Sequence, residues 1–506
     1  MRSFRPSIGF LRFVVHRCRC NARNLLHEKQ YISCPTRRPQ LCPHDLQLRC
    51  HTIMRRFDFI EFLIMLATVV QWLVLATITG AVVGSGTSLF LHGLFFMTDR
   101  TASIPLWLQM VLLPAGGLLN GLLLYYGYRV NTTDLKDTLF SAVNTQAGRM
   151  PFRTVLIKPV AAIITLASGG SAGKEGPCSH IGASLAAAIG QVLHLNSELR
   201  LRIVACGVSA GFASVFGTPI AGAIYGVEVL AIGRLRHDFL FPAIVAGVAS
   251  FQVSKFWNVP YVYYHFDTLP EFSEIMFFKT AMLGVVSGIV ALLFVEAVHR
   301  VARLFAYVQI RIRAWPPLMP LSGGILLSLM ILVIPTDYLG LSLPLMDHAL
   351  AGEPMPYLGF VWKILLVAVT IGSGFYGGIV TPQFVIGALA GNAFAHFFGI
   401  GPMLGAAIGL VGVVASASNT PVAAVLMGVE LFGGSIGTLY IAGAAIAAYL
   451  VIGHRSIYPE QRLAYSKSSW MRVRPDMPVD TEKARLAYGL LRWWERRRKK
   501  ALDRGG

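Results

Sequence analysis

Apolar runs recur along this chain from residue 59 to the mid-450s, and they decide which solvent the fold has to satisfy. The clearest are Phe59–Val83, Ile104–Tyr126, Val155–Leu166, Leu240–Phe256, Met282–Val295, Leu321–Ile334, Phe360–Gly372 and Tyr440–Ile452. A helix that crosses a bilayer needs roughly 20 apolar residues, and in lipid every backbone N–H and C=O must find its partner within the protein. Several runs here are shorter and broken by Gly or Pro, as in "VFGTPIAGAIYG" (Val215–Gly226). Broken segments persist at membrane depth only where other protein or a water-filled cavity meets the freed backbone groups. The chain therefore reads as an all-α polytopic membrane protein with a pathway through it. Its 14% charged residues compare with about 25% in soluble globular chains.

The formal net charge of +19 would suit nucleic acid, but the basic residues concentrate at the two ends, with "RWWERRRKK" (Arg492–Lys500) closing the chain. Basic ends beside apolar spans place both termini in the cytoplasm and make the number of crossings even. The same clusters read as membrane-proximal tails rather than as a nucleic-acid surface. Residues 1–53 stand apart: they hold five of the seven cysteines (Cys18, Cys20, Cys34, Cys42, Cys50) and only two acids, Glu28 and Asp45. Three readings stay open for them. Translation starting naturally at Met54 is the favoured one, ahead of a basic targeting extension and of a metal cluster, whose spacings match no zinc pattern. Cys178 and Cys206 lie in apolar segments and imply no disulfide framework.

Sliding the sequence on itself by 205 positions exposes a repeat. "KPVAAIITLASGGSAGKEGPCSHIGA" (Lys158–Ala183) lies over "KILLVAVTIGSGFYGGIVTPQFVIGA" (Lys363–Ala388), matching Lys158 with Lys363, Thr165 with Thr370, Gly173 with Gly378 and Pro177 with Pro382. With a small shift, "TPIAGAIYGVEVL" (Thr218–Leu230) lies over "TPVAAVLMGVELF" (Thr420–Phe432). The chain thus divides into an extension (1–53), a first membrane repeat (54–257), a second (271–461) and a basic cytoplasmic tail (462–506). Paired halves with interrupted segments at corresponding positions point to a transport site between them.

"GGSAGKEGP" (Gly169–Pro177) invites a nucleotide reading, which fails. A phosphate loop reads G-x-x-x-x-G-K-[ST], whereas here Gly173–Lys174 is followed by Glu175, and Ser168 stands where the first glycine belongs. A carboxylate in place of the hydroxyl would repel phosphate. The same physics serves a smaller anion. Glycines followed by Pro177 in a first helical turn mark a helix N-terminus, whose free N–H groups and positive dipole end attract anions. The repeat copy "GGIVTPQFVIGALAG" presents a second such terminus. Two of them meeting near the membrane centre would hold a halide without a full positive charge, which would bind too tightly to release it. Glu175 is then an ionisable group at an intramembrane anion site: ionised it fills the anion's place, protonated it withdraws, so it is a gate and a candidate proton carrier.

These residues resemble the CLC family of chloride channels and proton-coupled chloride transporters. "GKEGP" (Gly173–Pro177) matches that family's G-[KR]-E-G-P. "GIVTP" (Gly378–Pro382) matches its G-x-F-x-P with Val380 in place of the phenylalanine, and the "TPIAG…GVE" block (Thr218–Glu228) is also similar. The resemblance covers Met54 to about Gln461. It implies two inverted halves whose broken helices meet at a midplane anion site, a homodimer with one pathway per subunit, Glu175 as the gate, and no cofactor, metal or nucleotide. The backbone around Lys174, Gly176, Ile379 and Val380 would line the anion sites, and the Tyr458 hydroxyl would donate to the central anion. The family's serine loop should lie near "VNTTDLKD" (Val130–Asp137), where the serine is absent: Asn131 or Thr132 would supply the donor, whereas an ungapped count puts Asp134 there, electrostatically poor for an anion. Coupled members often carry E-E where this chain reads Glu228–Val229, and valine carries no proton. Glu228 itself is a candidate relay, although its copy Glu430 in the second half favours a structural role. His180 reads as a packed helix residue. The resulting expectation is a chloride pathway, with passive conduction slightly ahead of proton/chloride exchange. Another small anion such as fluoride or nitrate is the alternative, and a bacterial inner membrane the expected location. No nucleophile–base pairing supports an intramembrane enzyme.

Overall fold

The computed structural model describes residues 44–128, 140, 148, 150–264, 272–434, 437–482 and 485–486. The chain forms two compact units, 1–67 and 68–506. Of the first, residues 44–67 are described and are helical.

Helices dominate. In chain order they are α1 (His44–Ala102), α2 (Leu106–Tyr128), α3 (Thr154–Ala167), α4 (Glu175–Val192), α5 (Ser197–Phe216), α6 (Pro219–Glu228), α7 (His237–Phe256) and α8 (Glu274–Ile312). They continue with α9 (Leu318–Met330), α10 (Leu343–Leu350), α11 (Gly359–Gly372), α12 (Val380–Ala395), α13 (Pro402–Ala417), α14 (Pro421–Phe432) and α15 (Gly437–Val451). By length and composition, five described stretches could cross a membrane: Ile60–Thr101, Leu106–Gly127, Ser197–Phe216, His237–Phe256 and Glu274–Ile312. Six others, α3, α9, α11, α13, α14 and α15, are shorter apolar helices, as expected of broken spans.

The break in "VFGTPIAGAIYG" falls where the sequence places it. α5 ends at Phe216, Gly217 turns the chain with φ +73°, Thr218 is extended, and Pro219 opens α6. Proline suits that first position because its missing N–H would have no helical partner there. The run Phe59–Val83 belongs to a helix that continues to Ala102, and Met282–Val295 is the middle of the 39-residue α8. Polar residues inside them return their hydroxyls to their own helix, as Thr79 does to Leu75 O and Ser287 to Leu283 O, so polarity alone marks no helix end.

The repeat is a structural one. α4 lies against α5 as α12 lies against α13. At both crossings glycines remove the spacing between backbones: a Cβ on Gly182 would sit 2.0 Å from Gly207 O, and one on Gly387 2.4 Å from Gly409 O. Small residues serve this close approach within membranes. The two halves also clasp each other reciprocally. Glu228, at the end of α6, accepts from Val422 N and Ala423 N at the start of α14 (3.1 and 2.8 Å). Glu430, near the end of α14, accepts from Ile220 N and Ala221 N at the start of α6, at the same two distances. Such a paired exchange is the mark of a local two-fold relation between two inverted halves.

Four of the described strands, each two residues long, finish the fold after α15. β2 (Arg462–Leu463) pairs parallel with β1 (Ala231–Ile232), which follows α6, and antiparallel with β4 (Met477–Pro478). β3 (Met471–Arg472) pairs with β5 (Arg485–Leu486). The tail is thereby stitched to the first half directly beyond Glu228–Val229.

Candidate functional site

The site is built from the two glycine loops. α3 ends at Ala167, and Gly169 (φ +96°) turns the chain back toward Glu175. In the copy α11 ends at Gly372, and Gly374 (φ +103°) turns it toward Val380. The loops run antiparallel and exchange both bonds, Gly173 N to Gly378 O and Gly378 N to Gly173 O, each 2.7 Å. This contact demands glycine: a Cβ on Gly378 would lie 2.7 Å from Gly176 N and 3.0 Å from Glu175 N. Asn120 of α2 ties α3, the helix that leads into the first loop, to the second loop. Its Nδ2 donates to Ala161 O and Thr165 Oγ1 (both 2.7 Å), and its Oδ1 accepts from Tyr376 N (3.2 Å).

The N-termini of α4 and α12 therefore converge. Glu175 is the first residue of α4 and is 1% exposed. Its carboxylate crosses to the other half, where Oε2 accepts from Thr381 N (3.0 Å) and Oε1 accepts from the Thr381 hydroxyl. It sits on the free N–H end of α12, the place an anion would take. On the same helix one turn on, Gln383 Oε1 accepts from Ser418 Oγ (2.9 Å), Ser418 Oγ accepts from the Tyr225 hydroxyl (2.9 Å), and that hydroxyl lies 3.3 Å from the Tyr458 hydroxyl. Tyr458 thus joins a buried hydroxyl cluster. Its segment is held by Gln461, whose Nε2 donates to Val229 O and Ser418 O (2.8 and 2.9 Å).

On the far side of Glu175 lies a cavity of about 180 Å³, whose walls include Lys174, Glu175, Thr381, Phe216, Tyr264 and Asp347. The Tyr264 hydroxyl donates to Asp347 across it. The Lys174 ammonium lies 5.1 Å from the Phe95 ring centre, so at this position the backbone rather than the ammonium belongs to the glycine loop.

Of the residues singled out from sequence, the structure gathers Lys174, Glu175, Gly176, Ile379 and Val380 at the two helix starts, with Tyr458 in the hydroxyl cluster nearby. Asn131, with the whole 130–137 segment, lies outside the described residues, as does the metal reading of the extension. Glu228 has both carboxylate oxygens engaged by the N–H groups of α14, which makes it a cap across the two halves. His180 packs beside the buried Lys158, 3.2 Å from its Nζ. Lys363, the repeat copy of Lys158, is a structural knot whose Nζ donates to Tyr338 O, Gly340 O and Ser342 Oγ (3.1, 2.9 and 2.8 Å). Sequence reading missed Thr381, Tyr225, Ser418 and Gln383. The signal for Thr381 was present: the 205-residue offset sets it opposite Gly176, one residue past Glu175.

Outside the spans, His454 is an acceptor for the tail, taking Lys467 N (3.0 Å) and lying 3.3 Å from Ser466 Oγ. Burial, and then the Lys467 cation, hold its imidazole below the ordinary histidine value.

Residues 116–453 match the profile of the family described as "Voltage gated chloride channel". The chain is 36% identical over 422 residues to a chloride/fluoride channel protein of Pseudomonas syringae pv. tomato, covering 82% of this chain and 91% of the relative. It is 28% identical to a voltage-gated ClC-type chloride channel ClcB of Yersinia pestis, covering 67% and 85%. Among solved structures, a CLC-type fluoride/proton antiporter superposes with a TM-score of 0.72 at 28% identity, over 78% of this chain and 98% of that one. A slow cyanobacterial Cl⁻/H⁺ antiporter superposes with a TM-score of 0.63 at 20% identity, over 75% and 94%, a likeness of fold. Family profile, fold and paired helix starts agree: this chain belongs to the voltage-gated chloride channel family.

Proposed function

We propose that this protein exchanges a small halide for protons across a bacterial inner membrane. Fluoride is the favoured ion and chloride the other candidate. One observation carries the reading: the buried Glu175 carboxylate occupies the Thr381 N–H and hydroxyl at the start of α12. An anion entering there competes with the carboxylate for the same donors. Hydrogen bonds to a carboxylate are about twice as strong as those to a neutral group, so protonation loosens Glu175 and ionisation returns it. Each cycle then trades an anion for a proton. The preference for passive conduction rested on Val229, the missing second carboxylate. The competition at Thr381 needs no such partner, and it moves the preference to exchange.

Fluoride is favoured on two grounds. The donors are an amide N–H and a hydroxyl, hard groups that suit a small, strongly hydrated ion. Fluoride also stands in the names of the relative at 36% identity and of the solved antiporter at 28%. In this reading the halves 54–257 and 271–461 are the functional repeats, the ends of the chain are cytoplasmic, and two copies assemble as a dimer with a pathway in each.

The test is efflux of fluoride and of chloride from liposomes holding the purified protein, with internal pH recorded together. Halide flux that drives uphill proton movement supports exchange. Halide flux without linked protons returns the passive channel, with Val229 as its explanation.

A further inference from the structure

We propose a binding site for a phospholipid with an anionic headgroup on the membrane face of α8, where its tail-side end meets the start of the C-terminal segment. α8 carries no charge between Lys279 and Glu296. Those 16 residues span about 24 Å at 1.5 Å per residue, close to the roughly 30 Å of a bilayer's hydrocarbon core. Beyond Glu296 the helix turns basic, with Arg300, Arg303 and Arg311. Glu296 therefore marks the boundary between acyl chains and headgroups.

Two arginines from separate elements converge on that boundary. Glu296 Oε1 pairs with Arg455 Nε at 2.8 Å, and Glu296 Oε2 with Arg300 Nε at 3.4 Å. Both contacts are made through Nε rather than through the terminal Nη groups. The two arginine side chains are 57% and 73% exposed. One carboxylate for two guanidiniums leaves the triad net positive, and Arg303 stands exposed one turn further along. Surface ion pairs of this kind add little stability, and helix support alone would not need Arg455. Planar forks are suited to a phosphate's oxygens.

The second half of the site is apolar. Glu296, Arg300 and Arg455 line a groove of about 450 Å³, walled otherwise by Leu292, Leu293, Ala297, Phe360, Val361 and Ile364 from α8 and α11. A free phosphate would use only the arginines. A phospholipid uses both parts, with its phosphate on the forks and an acyl chain in the groove. Basic pockets at this depth are known lipid headgroup sites in membrane proteins generally.

Native mass spectrometry of the purified full chain tests this, titrating phosphatidylglycerol, phosphatidylcholine and water-soluble glycerol phosphate in turn. Phosphatidylglycerol should be retained about tenfold more tightly than phosphatidylcholine, and glycerol phosphate should not be retained. The Arg300→Gln/Arg455→Gln double variant should bring the two lipids level. Ala297→Phe, which fills the groove and leaves all charges, should weaken phosphatidylglycerol by a similar factor, and it serves where the double variant fails to fold. Equal retention of both lipids by the parent, or a preference that survives either variant, overturns the site.

Discussion

Replacing Glu228 by Gln separates a cap from a proton relay. The side chain is 8% exposed and its two oxygens take the Val422 and Ala423 N–H groups. A glutamine offers one acceptor oxygen and turns an NH₂ group toward the other N–H, leaving a buried donor unsatisfied at about 1–3 kcal/mol. Loss of the negative charge at a helix N-terminus adds about 0.3–1 kcal/mol, or more where partly buried. The total is about 1–4 kcal/mol. Glu430 makes the same pair of bonds at a more exposed position, its bond from Ile220 N lying at the surface where that from Val422 N to Glu228 is part-buried, so Glu430→Gln should cost less, about 1–2 kcal/mol. Both variants are melted in detergent beside the parent, then reconstituted for linked halide and pH recording. The cap predicts that Glu228→Gln melts lowest, Glu430→Gln falls between it and the parent, and the ratio of protons to halides is unchanged in both. A Glu228→Gln protein that melts like the parent yet loses proton movement would refute the reasoning and restore the relay.

Other outcomes follow from the same geometry. Thr381→Val removes one charge-assisted bond to Glu175, about 1.5–3 kcal/mol, so more halide should pass per proton; an unchanged ratio would mean the hydroxyl does not hold the carboxylate. Gly378→Ala forces a methyl against the backbone of Gly176 and Glu175, an overpacking cost of about 1–3 kcal/mol, and a variant as heat-stable as the parent would contradict the loop contact. The His454 imidazole is neutral in the docked tail and protonates more readily once released. Docking should therefore weaken as pH falls below the ordinary histidine value of about 6.5. Hydrogen exchange of residues 462–482 at pH 7.5 and pH 5 reads this, and equal protection at both would count against it.

The sequence exposed the site best where chemistry and backbone geometry coincide. Glu175 in "GKEGP", the glycines around it and the 205-residue repeat placed the gate at paired helix starts, because few residue types permit two backbones to touch. The hydroxyl cluster stayed hidden. Tyr225, Ser418 and Gln383 come from three helices, α6, the end of α13 and α12, and nothing in their local sequence marks them as neighbours. Thr381 was overlooked because a threonine before a proline reads as ordinary helix-start chemistry. Its role depends on Glu175 reaching across from the other half.

The central claim is that Glu175 both competes with the anion and carries the proton, and Glu175→Gln tests it most directly. Glutamine keeps the size and the fold but holds no charge to compete and no proton to deliver. In liposomes with halide efflux and internal pH recorded together, the account predicts that halide still flows while proton movement vanishes. A Glu175→Gln protein that still drives protons uphill on a halide gradient would contradict it.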